Sequence, residues 1–454
     1  MKRETGKTLT VEISSVNSRG EGVARHGEEH FVFFVPGALP GETVLGRISS
    51  LKKTYGILDI QDILETSPHR RVPKCRWFDL CGGCSLQHAN YGFQCLLKKR
   101  RVQDALMKEL GNEYSSMVED CIESPGEWHY RNKAIFPVVK HGKSARFGFF
   151  RRNSHHLVPV DTCPVLQEPL EAMMQDIPAM MDLLGWRGYD EKRHSGFLRH
   201  VSLRATKDRE TSLILVVRER LRNHERIDLE RLCNFLKNRS DYASPSVFVN
   251  INRKRGNRVF GTHTEHIAGT EYIEENFGGY RLRFGASSFF QVNSLLTETL
   301  VEEALNGFDN GQNIVELYSG AGTMTLGLAE KASFLHAAES WPEAAGYLKE
   351  NLARNGFRNV RVLKDTAEKA LDHITRDSCD ALLLDPPRAG CSVEVRQKIL
   401  SLKPERIVYV SCNPATLARD LNSFISDGYR ILRIVPLDMF PQTPHVETVA
   451  FLTL

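Results

Sequence analysis

Residues 313–325 read Asn-Ile-Val-Glu-Leu-Tyr-Ser-Gly-Ala-Gly-Thr-Met-Thr. An apolar run of strand type ends in a loop with two glycines, and a helix-like stretch follows. Gly320 and Gly322 allow a tight turn and let a ligand approach the backbone closely. A dinucleotide fingerprint needs a third glycine at position 325, where this chain has Thr325, which counts against NAD or FAD. Downstream, residues 334–339, 359–364, 380–384 and 406–410 are further apolar runs, each trailed by a helix-like segment. Continuous apolar strands alternating with helices imply a parallel sheet covered on both faces. Two last runs, 429–435 and 447–452, read as antiparallel edge strands. Residues 286–454 are therefore expected to form a doubly wound, Rossmann-like α/β domain.

Four acids stand at successive strand ends: Glu316, Glu339, Asp365 and Asp385. Each alone suits a helix N-cap. As a set they suit a nucleoside ligand, with Glu339 at the ribose hydroxyls and Asp365 near the adenine amino group. The strand at 406–410 leads to Cys412, and the chain then turns through Asn413-Pro414 into a helix. A free cysteine usually ends as a small buried hydrophobe. At a strand's carboxyl end it faces the crevice where open α/β sheets bind ligands. Covalent attack on the ring of a pyrimidine needs three groups: a thiolate, a positive charge and a base. Cys412, Arg388 in Asp385-Pro-Pro-Arg388, and Glu447 in His445-Val-Glu-Thr448 supply one candidate each.

The chain has 454 residues, 41% hydrophobic and 26% charged, with net charge +4. That length allows two to four domains. No run of eighteen apolar residues is present and the start has no apolar signal core, so a cytoplasmic protein with no membrane association is expected. Three basic clusters precede the glycine loop and suit phosphates: Lys98-Lys-Arg-Arg101, Arg151-Arg152, and Arg253-Lys-Arg255 with Arg258. Solvated helix or loop faces explain each of them equally well. Tyr130-Arg-Asn-Lys133 reads either as an RNA contact or as a polar turn.

Residues 1–66 hold short alternating runs separated by glycine-rich turns, the pattern of a small β-barrel. Residues 67–285 carry a cysteine group, a helix-like stretch at 89–118, and mixed strands and helix, so an α+β domain is expected. Cys75, Cys81 and Cys84 lie within ten residues, and Cys163 is the best fourth ligand. Four thiolates would suit zinc or an iron–sulfur cluster, and spacing does not choose between them.

Arg19-Gly-Glu-Gly-Val23, Phe34-Val-Pro-Gly-Ala38 and Pro40-Gly-Glu42 resemble a TRAM domain, an OB-like RNA-binding barrel. The four strand-end acids resemble class I S-adenosylmethionine-dependent methyltransferases. Ser288-Phe-Phe-Gln-Val-Asn293, Glu316-Leu-Tyr-Ser-Gly-Ala-Gly322, Asp385-Pro-Pro-Arg-Ala-Gly390, Val410-Ser-Cys-Asn-Pro-Ala-Thr416 and His445-Val-Glu-Thr448 resemble the RNA uracil-5-methyltransferase family. That resemblance implies contacts to S-adenosylmethionine from Gln291, Tyr318, Glu339 and Asp385, with Cys412 as nucleophile and Glu447 as base. It also implies that the helix at 89–118 packs on the catalytic domain. Resemblance to the ribosomal branch implies a [4Fe–4S] cluster on Cys75, Cys81, Cys84 and Cys163, and 23S ribosomal RNA as substrate for a monomeric enzyme. Transfer RNA methylated in the T-loop is the alternative. A non-catalytic iron–sulfur RNA-binding or assembly protein and an amine methyltransferase are rivals of other classes.

Overall fold

The computed structural model describes residues 4–142 and 144–454; residues 1–3, where the expected barrel segment begins, and residue 143 lie outside them. The C-terminal sheet has seven strands in the order Val360–Leu363, Phe334–Ala338, Asn313–Leu317, Ala381–Leu384, Arg406–Ser411, Glu447–Thr453, Arg430–Leu437. The first five run parallel and Glu447–Thr453 runs antiparallel to both its neighbours. Side chains alternate between two cores, as a strand period of two requires. Ile314, Ala381, Leu383, Val408 and Val410 enter one core, while Val315, Leu317, Leu382, Leu384, Ile407 and Tyr409 enter the other. Only one of the two terminal strands is an edge. Glu447–Thr453 inserts inside the sheet, and its run of six buried residues fits a strand covered on both faces.

The N-terminal sheet has the order Thr8–Glu12, Thr43–Leu51, Tyr55–Glu65, Phe31–Val35, Gly22–His26, Ser15–Val16. Its two ends belong to one stretch of chain. Residues 8–12 pair with 43–47 and residues 15–16 pair with 22–23, so the sheet curls back on itself. Ser14 N–H donates to Val23 O at 2.9 Å at the join. Val11, Ile13, Ala24, Phe33, Val44, Ile48 and Leu58 fill the interior. A Cβ at Gly56 would lie 2.5 Å from the Phe33 ring, so a side chain there is excluded.

The central sheet is mixed, in the order His263–Ala268, Ser246–Ile251, Thr211–Val217, Leu198–Ala205, Lys133–His141, Ser144–Phe147. Helices Glu168–Leu184 and Asn223–Lys237 cover one face through Met173, Ile177, Leu229 and Leu232. The first helix contains Pro178, which hid it in the sequence; its buried apolar stripe outweighs that breaker. Ile214, Val216 and Phe248 point the other way, into the core of the C-terminal sheet. The hairpin Ile273–Phe277 with Tyr280–Phe284 also joins that core, so the expected division at 285/286 runs through shared packing.

The expected helix at 89–118 is Tyr91–Glu109, with Gly111 at φ +111° and a short turn Asn112–Ser115 beyond it. Its Val102 and Leu106 pack with Val315, Tyr409 and Leu417 of the C-terminal domain. Among the described residues no helix is long and apolar enough to cross a membrane.

Candidate active site

Strand pairing builds the reactive corner. Ser411 is opposite Thr448, so Cys412 and Glu447 are neighbours where the two antiparallel strands meet. Asn413 caps the next helix, Pro414–Ile425, and its Nδ2 donates to Arg388 O at 2.9 Å. Thr416 Oγ1 donates to the same carbonyl at 3.2 Å. These bonds hold the Asp385–Arg388 turn against the Cys412 strand and bring the Arg388 guanidinium beside the thiol.

The corner has an unusual electrostatic balance. Burial pushes the Cys412 thiol up, the Glu447 carboxyl adds to that, and Arg388 opposes both. Glu447 is 4% exposed, and burial followed by the Asp385 charge holds it well above the usual carboxylate range. Burial raises Asp385 to about 7. His445 lies 3.5 Å from Arg388 Nη2 and is pushed down to about 4 by burial and by Arg388, so its neutral ring accepts.

Beside this corner lies the glycine loop. Gly320 and Gly322 have φ of +58° and +107°, and Tyr318 adopts +67°, a left-handed value uncommon outside glycine. A Cβ at Gly322 would also lie 2.8 Å from Leu348. Glu339 Oε2 accepts from Gly320 N–H at 2.9 Å and its Oε1 from Trp341 N–H at 2.6 Å. Glu316 Oε2, Ser319 Oγ and Thr325 Oγ1 are buried together, and the two hydroxyls face the Glu316 carboxyl. Burial raises Glu316 to about 7; the Thr325 and Ser319 hydroxyls oppose this, and the Asp385 and Glu339 charges add to it. This buried polar cluster and the open glycine loop fit a polar ligand such as the amino-acid end of S-adenosylmethionine. Asp365 is partly exposed at the end of the next strand, and its Oδ1 accepts from Thr366 N–H at 3.3 Å. Gln291 is buried, and its carbonyl accepts from Asn132 Nδ2 at 2.9 Å. The Tyr318 ring turns toward Cys391 and Glu368.

Asp420 was not singled out in the sequence. It is fully buried, and its carboxylate accepts from Cys391 N–H at 2.8 Å and Tyr409 OH at 2.7 Å and pairs with Arg396 at 2.7 Å. It pins the end of the Asp385–Cys391 loop. An acid on the apolar face shared by Leu417, Leu421 and Phe424 was the available signal.

Of the three basic clusters, two have members tied into the fold, while Arg100 and Arg151 stay exposed. Lys98 is fully buried against Asp438, and Arg101 donates to Pro444 O. Arg152 donates to Cys84 O and stacks on Phe78. Arg253, Lys254, Arg255 and Arg258 form no ion pair among the described residues. Their loop is held rigid from within. Arg199, 3% exposed, donates to Asn252 O at 2.7 Å and Lys254 O at 2.8 Å, and Asn252 Nδ2 donates to Arg258 O at 2.6 Å. Arg258 stacks over Trp341, one residue from Ser340 and two from Glu339. Tyr130 and Asn132 are each 1% exposed and bond to the Pro441 and Gln291 carbonyls, so this half of the Tyr130–Lys133 word is internal scaffolding.

Cys75, Cys81, Cys84 and Cys163 all line one cavity of about 430 Å³. Burial raises all four thiols, Cys84 to about 11. Among the described residues no three His, Cys, Asp or Glu side chains form a group that holds a metal ion. The expected ligands therefore share a cavity without forming a closed ligand set, and the structure does not display the iron–sulfur site expected for the central domain.

The chain matches the family model described as tRNA (Uracil-5-)-methyltransferase over residues 92–454, and that of the TRAM domain over 2–57. An uncharacterized RNA methyltransferase of Halalkalibacterium halodurans is 36% identical over 98% of this chain and 97% of its own. One from Caldanaerobacter subterraneus is 38% identical over 99% and 98%. Among solved structures, the Pyrococcus abyssi tRNA (uracil-54, C5)-methyltransferase in complex with S-adenosyl-L-homocysteine superposes with a TM-score of 0.77. Its identity is 27%, over 98% of this chain and 99% of that one. The chain thus belongs to the tRNA (uracil-5-)-methyltransferase family, with a TRAM domain ahead of it, and is an S-adenosylmethionine-dependent RNA (uracil-5-)-methyltransferase.

Proposed function

We propose that the enzyme methylates carbon-5 of a uridine in 23S ribosomal RNA through a covalent bond between Cys412 and the uracil ring. One observation carries the covalent reading: the pairing of Ser411 with Thr448 makes a buried acid, Glu447, the neighbour of the thiol, with Arg388 beside both. Carbon-5 of uracil is a poor nucleophile. Addition of the Cys412 thiolate to carbon-6 moves the ring π pair onto the carbon-4 oxygen as an enolate, which makes carbon-5 nucleophilic. Arg388 favours the thiolate and lies where it can balance the enolate. S-adenosylmethionine supplies an electrophilic methyl group, which carbon-5 takes while the bonding pair stays on the donor sulfur. Glu447 then accepts the carbon-5 proton. The C–H pair restores the ring double bond, and the carbon–sulfur pair returns to Cys412. A carboxyl with a raised pKa is a stronger base for that step. Gln291, Tyr318, Glu339, Asp365 and Asp385 hold the methyl donor in this reading.

The target base must leave its stack to reach Cys412, at a cost of a few kcal/mol. The unpaired cations of the 253–258 loop are the phosphate contacts that offset it. The ribosomal assignment rests on the resemblance carried by the four cysteines. A second reading, transfer RNA, is favoured by the likeness to the archaeal tRNA (uracil-54, C5)-methyltransferase. Methylation of unmodified ribosomal and transfer RNA with labelled donor, followed by site mapping, separates them. Cys412→Ala abolishes transfer while RNA binding persists; turnover by that variant would refute the covalent route.

Cys75, Cys81, Cys84 and Cys163 are the residues that would hold a [4Fe–4S] cluster, because four half-buried thiols line one cavity and thiolates bind a metal once deprotonated. A cluster supplies thiolate–iron bonds that would tie residues 75–84 to Cys163. Methyl transfer has no redox step, so its role here is architectural. Anaerobic purification should give a brown protein with four irons per chain. A colourless protein containing zinc would overturn the assignment. The enzyme acts as a cytoplasmic monomer in this reading.

A further inference from the structure

The segment between Asp438 and Glu447 is held by an unusual residue. Gln442 is fully buried and adopts φ +70°, a left-handed conformation that costs a side-chain-bearing residue about 1 kcal/mol or more. Such a conformation persists only where the surroundings over-determine it, and each hydrogen-bonding group of Gln442 is engaged. Its carbonyl accepts from Ser85 N–H at 2.9 Å and Leu86 N–H at 3.0 Å, just past Cys84. Its N–H donates to Gln94 Oε1 at 2.9 Å, and its Oε1 accepts from Gln94 Nε2 at 3.0 Å. Its Nε2 donates to Glu127 Oε2 at 2.9 Å, and Glu127 is itself paired with Arg71. The preceding carbonyl, of Pro441, accepts from Tyr130 OH at 2.9 Å. Tyr130 and Thr443 both line the cavity of the four cysteines.

We infer that Gln442 is a positioning residue that registers Glu447 against Cys412 from the cysteine-bearing segment. Only four residues separate Gln442 from Glu447, and Arg101 holds the carbonyl of Pro444 between them. A shift of residues 84–86 or of Tyr130 therefore displaces the segment that delivers Glu447. Cys412 follows the strand Arg406–Ser411, which is also held on its other side by Ala381–Leu384 and makes none of these bonds. The two halves of the reaction consequently respond differently. Thiolate addition and methyl transfer depend on Cys412, Arg388 and the donor site. Removal of the carbon-5 proton, whose C–H pair reforms the ring double bond and expels the Cys412 thiolate, depends on Glu447. This inference rests on the covalent reading above.

The test uses the full-length enzyme with a uridine-containing RNA substrate and S-adenosylmethionine. Tyr130→Phe removes one hydroxyl and keeps the packed ring. Gln442→Gly removes the side-chain bonds and accepts the positive φ without strain. Both should lower kcat by about tenfold or more, as expected for misplacement of a reacting group by a fraction of an ångström. KM for RNA should stay within about twofold, since these residues are buried away from the RNA-facing loop. An enzyme–RNA adduct that survives denaturing electrophoresis should accumulate in both variants and not in wild type. Unchanged kcat, or a lower kcat without adduct, overturns the inference, provided that the wild type is trapped on 5-fluorouridine RNA. If the wild type is not trapped there, the covalent reading falls instead, and unchanged kcat with unchanged KM still overturns the positioning role.

Discussion

Arg388 faces the Cys412 thiol on one side and the neutral His445 ring on the other. It is the group that offsets burial and the Glu447 carboxyl in setting the state of the thiol. In the proposed mechanism Cys412 and Glu447 both act deprotonated, and both groups are held above their ordinary ranges. The rate should therefore climb as pH rises through neutral. Replacing Arg388 with Gln removes the charge that favours the thiolate, and the rise moves to higher pH. At fixed neutral pH the rate drops about tenfold for each unit of that displacement. A pH profile of kcat/KM that keeps its position in the variant would assign Arg388 another role. Cys412, Arg388 and Glu447 could be named as candidates from the sequence because residue type and strand-end position limit what they can do. Gln442 and Asp420 were not, because their partners are distant in the chain and a lone Gln or Asp carries no pattern.

The helix Pro414–Ile425 and the loop at 252–262 show how elements serve the site. Asp420 joins that helix to the loop ending at Cys391 and to Arg396, all out of water. Asp420→Ala should destabilise the protein by roughly 3 kcal/mol, the loss expected when one partner of a buried ion pair is removed. Urea unfolding measures it, and a change under about 1 kcal/mol would show that Arg396 finds another partner. The basic loop is rigid because Arg199 and Asn252 satisfy its carbonyls from inside, which leaves its cations outward. Replacing Arg253, Lys254 and Arg255 with Gln should flatten the dependence of log Kd for RNA on log salt, by about 0.7 for each phosphate that is no longer neutralised. An unchanged slope would move the RNA elsewhere. The sequence marked three basic clusters alike. Only the fold shows that Lys98, Arg101 and Arg152 are consumed by the Asp438 carboxylate and the Pro444 and Cys84 carbonyls, while, among the described residues, Arg253, Lys254 and Arg255 stay exposed without an ion pair.

At the scale of the molecule, the central sheet packs its own helices on one face and the catalytic core on the other, so the two domains share packing. The C-terminal core in turn buries acids at a cost in stability. Glu316 is raised to about 7 from an ordinary 4.5. The folded chain then keeps a proton that the unfolded chain has lost between these values. Its contribution is fully present below about pH 4.5 and is lost as pH rises through 7. Glu316→Gln removes this dependence, so the thermal midpoint of the variant should gain on wild type between pH 5 and pH 8. Parallel curves for the two proteins would show that Glu316 is already ionised in the free enzyme.

The sequence by itself determined the strand–helix alternation, the glycine loop, the strand-end acids and the thiol at a strand end. These are local properties: apolar periodicity, positive φ at glycine, and the chemistry of a residue at a strand end. Tertiary structure alone decided that the last strand inserts beside the Cys412 strand. Apolar pattern shows that a strand is buried, but long-range hydrogen bonding chooses its neighbours. That insertion makes Glu447 the neighbour of Cys412, and the buried bonds of Gln442, contributed by segments hundreds of residues apart, hold the connection in place.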